Sequence, residues 1–276
     1  MTTRITGRLK ALTPVYHGGN EKTGSVVLLN RLKFIVDGEP TDVPIISGNQ
    51  IRGRLRRLLA RDFLNLTGYQ LDLEKKADQK LYHTLFAGGV LTEVEESESA
   101  VVDLSLKSRV VKYILPVRLF GASYANQMVE GRVRVMHALP ICKELVEYTG
   151  IPSNTSFYTL ISRAFQTRRD ELRAKREENE EAVQMLVEYE CFAPGTEFYH
   201  ELILDSSDPV DLATLYRAVK LWTEQPFIGG KSSVGFGRLN INYEWPSNAS
   251  DQPYLDFVKN NKDEILKVID ELKQRL

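Results

Sequence analysis

The 276-residue sequence has only two cysteines, Cys142 and Cys191, and no CxxC pair. Neither a disulfide framework nor a thiolate zinc site is expected, and both thiols read as reduced cytosolic side chains. Long apolar runs are also missing: none approaches eighteen residues, and Met1-Thr-Thr-Arg4 leads straight into a strand pattern. Neither a signal peptide nor a membrane span is expected, and the expected location is cytoplasmic. Net charge is close to nil, with 36 lysines and arginines against 37 aspartates and glutamates. The chain is therefore not a polycation that coats nucleic acid by bulk charge. Any such contact must come from charge arranged locally.

Several catalytic and nucleotide motifs are absent as well. Gly230-Lys231-Ser232 has the tail of a phosphate-binding loop, but Gln225 stands where GxxxxGK[ST] needs its first glycine. No GxGxxG opens a helix after a strand, so neither a nucleoside triphosphatase nor a dinucleotide enzyme is supported. The four histidines His17, His83, His137 and His200 form no recognisable acid–base pair. The aromatic consensus of RNA-recognition sheets is absent too.

What is present centres on Gln225-Pro-Phe-Ile-Gly-Gly-Lys-Ser-Ser-Val-Gly-Phe-Gly-Arg-Leu239, with four glycines in nine residues. Apolar Phe227, Ile228, Val234 and Phe236 anchor it. Its backbone N–H groups suit an anion-binding nest, to which Lys231 and Arg238 add charge. Leu212, Leu215, Val219 and Trp222 trace a helix leading into this loop, with Asp208 and Pro209 marking its start. A strand over Arg238–Trp245 follows.

A second charged stretch is Val43-Pro-Ile-Ile-Ser-Gly-Asn-Gln-Ile-Arg-Gly-Arg-Leu-Arg56. Ile51, Leu55, Leu58, Leu59 and Phe63 fall on one helical face, with Ser47 or Asn49 as cap. Of the five arginines on its flanks, Arg52 and Arg56 stand one turn apart near the helix start, where an anion is welcome.

Elsewhere, Arg4–Thr13 reads as a first strand broken at Pro14–Asn20, and Ser25–Val36 as another. Asp37–Asp42 is turn chemistry. Helical potential covers Glu74–Phe86, Glu93–Glu98 reads as an acidic solvent-facing loop, and Val101–Leu106 and Val110–Val117 read as strands. Arg132 and Arg134 share one strand face, suited to phosphate or to edge protection. Phe165-Gln-Thr-Arg-Arg169 combines an aromatic with charge and suits clamping a single strand, and Asp170–Ala182 reads as a surface helix or insertion. Leu186–Phe192 and Glu197–Leu204 are expected as a hairpin around Ala193–Thr196, and Asp251–Leu276 as helix.

Leu12-Thr-Pro-x-x-x-Gly-Gly19, the Pro44/Ile46/Gly48/Ile51/Arg52/Gly53/Arg56 spacing, Leu119-Phe-Gly121 and the GG-K-S-S-x-GFGR order together resemble the RAMP superfamily of CRISPR-associated proteins. Within it, the resemblance is to the Cas-seven-like backbone subunit. Asn49-Gln50 departs from that family's usual serine pair. The resemblance implies an α+β fold with a ferredoxin-like βαββαβ core. It places one domain over 1–250, an insertion over about 67–192 with a thumb-like part at 155–185, and a C-terminal helix over 251–276. It implies a subunit that oligomerises along CRISPR guide RNA (crRNA) and presents it to target DNA or RNA beside other effector subunits. Whether the effector is type I-D, III or IV stays open, with a non-cleaving type I-D or IV subunit expected.

Residue reading and resemblance together name His17, Asn20, Asn49, Gln50, Arg52, Arg56, Arg168, Arg169, Lys231, Ser232 and Ser233 as RNA contacts. No catalytic residue or cofactor is expected. The alternative is a metal-dependent (Mg²⁺) RNA-cleaving subunit using Asp37, which lies one residue further from Pro44 than that pattern needs; a guide-processing endoribonuclease is a further alternative.

Overall fold

The computed structural model describes residues 2–89, 103–124, 127–168 and 185–276. Strand β1 (Thr2–Ala11) alternates, with Ile5, Leu9 and Ala11 buried and Arg4, Arg8 and Lys10 exposed, the period of a half-buried strand. After Pro14 come β2 (Gly18–Thr23), β3 (Val26–Leu29), β4 (Arg31–Val36) and β5 (Glu39–Pro44). The single strand expected over Ser25–Val36 is thus two, in different sheets. Asn30 makes the corner: its N–H donates to His17 O at 2.8 Å and its carbonyl accepts from Ile45 N at 2.9 Å. The turn expected over Asp37–Asp42 is only two residues long. Asp37 and Gly38 have φ of 51° and 83°, the paired positive values that suit a two-residue hairpin turn.

Helix α1 (Gly48–Thr67) starts where Ser47 Oγ accepts from Gln50 N, and buries Ile51, Leu55, Leu58, Leu59 and Phe63. Helix α2 (Lys76–Tyr82) runs into a π-turn, His83–Ala87. Then come α3 (Leu104–Tyr113) and α4 (Leu115–Phe120), where strands were expected. The Asp103 carboxylate caps α3 by accepting from Leu106 N at 2.9 Å. Leu106 and Val110, one turn apart, bury the same face, so packing and capping outweigh the β-propensity of the valines.

Short strands β6 (Ala122–Tyr124), β7 (Gln127–Val129), β8 (Val133–Val135) and β9 (Leu139–Pro140) precede α5 (Val146–Thr149). The chain continues through β10 (Ile161–Arg168), β11 (Met185–Phe192), β12 (Glu197–Asp205), α6 (Pro209–Glu224) and β13 (Leu239–Tyr243). It ends in α7 (Gln252–Asn260) and α8 (Lys262–Arg275).

The main antiparallel sheet has the order β13-β1-β12-β8, with β9 also on β12. Helix α1 lies between β1 and β8 in the chain, and α6 between β12 and β13. This is the expected ferredoxin-like βαββαβ core, and its second strand, β8, falls inside the 67–192 segment expected as one insertion. The second sheet runs β10-β11-β3-β2. The hairpin expected around Ala193–Thr196 is therefore a corner between sheets: β11 belongs to the second and β12 to the first. Phe192 and Phe198 pack edge-on across it, ring centres 4.8 Å apart. Strand β10 lies inside the 155–185 segment expected to be thumb-like, and β11 begins at its end; the acidic loop at 93–98 and the expected helix at 170–182 lie outside the described residues.

The C-terminal segment is two helices, broken at Asn261. Tyr254, Val258, Ile265, Val268, Ile269 and Leu272 join the core that holds α1, so it packs on its own chain. Arg217 ties it down, bridging Asp62 at 2.6 Å and Asp251 at 3.1 Å. Among the described residues, no helix is long and apolar enough to cross a membrane.

One buried histidine makes the core sensitive to acid. His200 is fully buried, with Nδ1 2.6 Å from Tyr243 Oη and Nε2 3.0 Å from Met136 O. Burial lowers its pKa from 6.5 to about 4. Because the folded value lies below the unfolded one, its contribution is complete above about pH 6.5 and is lost as pH falls toward 4. The expected loss is roughly 3 kcal/mol, read as a falling urea midpoint over that window. A His200→Gln variant without a flatter pH profile would contradict it.

Candidate nucleic-acid interface

The glycine loop leaves α6 at Gln225 and is pinched at its neck. Ile228 N donates to Gly237 O at 2.9 Å, and Leu239 N to Pro226 O at 2.8 Å. It is joined to the β1–β2 connection by Gly230 N on Tyr16 O (2.9 Å) and Gly237 N on Pro14 O (2.8 Å). Two glycines are required here. With φ near +84° at Gly229 and +83° at Gly237, an added Cβ would lie 2.3 Å from Tyr16 O and 2.0 Å from Ile228 O. Gly237→Ala is expected to cost roughly 2–3 kcal/mol, measured by chemical denaturation; a loss below about 0.5 kcal/mol would show that the neck yields.

The loop tip is one 3₁₀ turn, Ser232–Val234, between left-handed Lys231 and Gly235. Ser232 and Ser233 are exposed. Facing the loop is α1, where Gln50, Arg54, Arg57 and Arg61 recur at i, i+4, i+7 and i+11 along one stripe. Gln50, Arg54 and Arg57 line a cleft of about 100 Å³ with Phe227, Ile228, Gly229 and Ser232. Arg54 reaches across it, Nη2 donating to Gln225 O at 2.9 Å. Among the described residues, Gln50 Oε1 and Arg54 Nε are buried there without a partner.

Burial lowers the Arg54 pKa, and Arg57 and Arg61 lower it further. The neighbouring carboxylate, Asp62, is held by Arg217 instead. The stripe is thus a set of mutually repelling cations that a bound anion would relieve.

The other sequence-predicted residues are distributed differently. Arg56 is only 6% exposed and donates to Gly121 O and Phe120 O at 2.8 and 2.6 Å. Burial, with Arg52 nearby, lowers its pKa to about 10. Arg52 also donates to Phe120 O. Both satisfy carbonyls at the C-terminal end of α4, so the arginines facing the cleft are Arg54 and Arg57. The i, i+4, i+7 spacing from Gln50 puts them on one stripe, while the side that stripe faces is set by contacts distant in sequence.

Asn49 is exposed at the α1 start, and Asn20 is exposed on β2. His17 is half-buried, its Nε2 3.3 Å from Asn30 Nδ2. Burial lowers its pKa to about 4, so it is neutral at pH 7. Lys231 Nζ donates to Gln166 Oε1 at 2.5 Å, over the Tyr189 ring. Arg168 ends β10; Arg169 lies outside the described residues.

Arg132, just before edge strand β8, is paired with Asp211, and Arg134 within it with Asp205. Asp37 stands exposed at its turn, and among the described residues no three His, Cys, Asp or Glu side chains converge to hold a metal ion. A Mg²⁺ held by Asp37 would need RNA and water oxygens to complete its shell.

These features define a ferredoxin-like protein with a cationic cleft between its first helix and a glycine loop. A model of the RAMP superfamily matches residues 8–240, and the chain belongs to that superfamily. It shares its fold with a chain of a solved structure titled "Type IV-B CRISPR Complex", with a TM-score of 0.64 and 18% identity. The match covers 91% of this chain and 97% of that one. A search of curated proteins gave no match.

Proposed function

We propose that this protein is a Cas-seven-like backbone subunit of a CRISPR effector complex. It holds the sugar–phosphate backbone of guide RNA and, repeated along the guide, presents its bases for pairing with target DNA or RNA. The observation that carries this is the cleft between α1 and the glycine loop, where Arg54 and Arg57 face Ser232. Its polar lining suits a phosphate and offers no hydrogen-bonding code for a particular base, which fits a system in which base pairing reads the sequence.

The outer face of the main sheet is occupied differently. Arg4 pairs with Glu201, and Arg8 and Lys10 with Glu197, so its cations are balanced by carboxylates. RNA is therefore assigned to the helix–loop cleft and not to the sheet.

The test is fluorescence anisotropy on a guide-length single-stranded RNA across a KCl series. Binding that weakens linearly in log K against log[KCl], with little dependence on RNA sequence, is expected. Absence of binding at low salt would sink the reading.

A further inference from the structure

Among the described residues, Lys231 and Asp37 are the non-glycine residues with positive φ. Asp37 makes a turn; Lys231 bends toward a set of partners. A left-handed backbone is unfavourable for a residue with a Cβ, so its surroundings must hold it there. Its ammonium donates to Gln166 Oε1 at 2.5 Å and stands 4.1 Å from the Tyr189 ring centre and 5.6 Å from that of Tyr16. Tyr16 and Tyr189 meet edge-on at 4.9 Å, and Phe236 lies 5.9 Å from Tyr189.

These partners come from separate parts of the molecule. Gln166 is on β10, Tyr189 on β11, Tyr16 on the β1–β2 connection, and Lys231 and Phe236 in the glycine loop. Strand β11 joins β3 through the single register pair Tyr189↔Val27. The lysine thus links the β10–β11 hairpin to the loop at the residue where that pairing occurs.

We propose that Lys231 is a latch fixing the angle of the β10–β11 hairpin to the α1–glycine-loop cleft, and is not itself a phosphate ligand. An ammonium has three donors; here one is taken by Gln166 and two aromatic faces attract the charge. Lys231 precedes Ser232 of the cleft, so the phosphate site and the hairpin angle are mechanically joined. The latch stands on the protein's own contacts, while its consequence for RNA rests on the proposed guide-binding function. Held at one angle, the hairpin meets the adjoining copy at a fixed distance from each occupied cleft, which makes Lys231 a positioning residue.

The first test is hydrogen exchange on the full RNA-free chain. Lys231→Met keeps the stem and removes the charge; Gln166→Leu removes the acceptor and leaves the loop sequence untouched. Each is expected to speed exchange of β10–β11 amides by about 10-fold, leaving β1–β12 amides unchanged. The double variant should be no faster than either single one, and Lys231→Arg should restore protection.

The second test uses RNA. Lys231→Met should keep the wild-type salt slope on an oligonucleotide covering one copy, yet lose about 10-fold in cooperative loading of a longer RNA. A slope reduced by about 0.7, with hairpin exchange unchanged, would make Lys231 a phosphate ligand and overturn the latch. If the wild type binds no RNA, the guide-binding function fails, and the exchange test still decides the latch. Should Lys231→Met not fold, Gln166→Leu gives the same reading, and wild-type exchange rates in that variant would overturn the proposal.

Discussion

Replacing Asp211 by alanine is expected to lower stability by about 3–5 kcal/mol. Asp211 is 1% exposed in the first turn of α6, forms an ion pair with Arg118 (Nε–Oδ1 2.6 Å), and accepts from Ser206 Oγ at 2.5 Å and from Arg132. The positive end of α6 also favours its carboxylate. Arg118 is as deeply placed, its side chain 7% exposed, and its other partner is the α6 cap, Asp208. Removing Asp211 leaves one guanidinium buried with half its countercharge and frees Arg132 on the sheet edge. The cost is dominated by that uncompensated charge and not by the loss of a favourable pair. Urea denaturation measures it; a loss under about 1 kcal/mol would show that solvent reaches Arg118.

The double variant Arg54→Ala/Arg57→Ala is expected to keep its fold and to weaken RNA binding on the order of 100-fold at low salt. Both side chains line the cleft, and the Arg54 pKa is lowered partly by neighbouring arginines, so losing them removes repulsion from the free protein. If each neutralises one phosphate, the log–log salt slope falls by about 1.4. Arg56→Ala, one residue away, should behave in the opposite way. It leaves the Phe120 and Gly121 carbonyls short of donors, costing roughly 2–4 kcal/mol, while the folded fraction binds RNA with an unchanged slope. An unchanged slope in the double variant at matched thermal stability would remove the stripe from the interface.

That contrast shows how far the sequence could be read. The apolar face of α1, the caps at Ser47 and Asp208, and the closure of the glycine loop were legible because each depends on residues within a few positions. Which arginine of α1 faces the cleft was not legible. It depends on Phe120 and Gly121, some sixty-five residues away, arriving beneath Arg52 and Arg56. The strands expected between Val101 and Val117 failed for a similar reason: Asp103 caps a helix whose packing outweighs valine's strand preference. The hairpin expected around Pro194 failed because two adjacent strands sort into different sheets, a choice set by partners distant in sequence. The core order survived these errors because β1, α1, β12, α6 and β13 were all read in nearly their observed places, and the sixth element, β8, was read as a strand but assigned to the insertion.

The central strand pair of the main sheet has a consequence for how the chain acquires its shape. β1 pairs along its length with β12, and Thr2 donates to Asp205 across 203 residues of sequence. At a synthesis rate of about 5–20 residues per second, the first strand waits roughly 10–40 s for its neighbour. During that interval Ile5 and Leu9 have no sheet to enter, while the local helices can already form. Assembly that must close so long a loop is slow and exposes strand edges on the way. A nascent chain of this design depends on whatever shields β1 until β12 emerges.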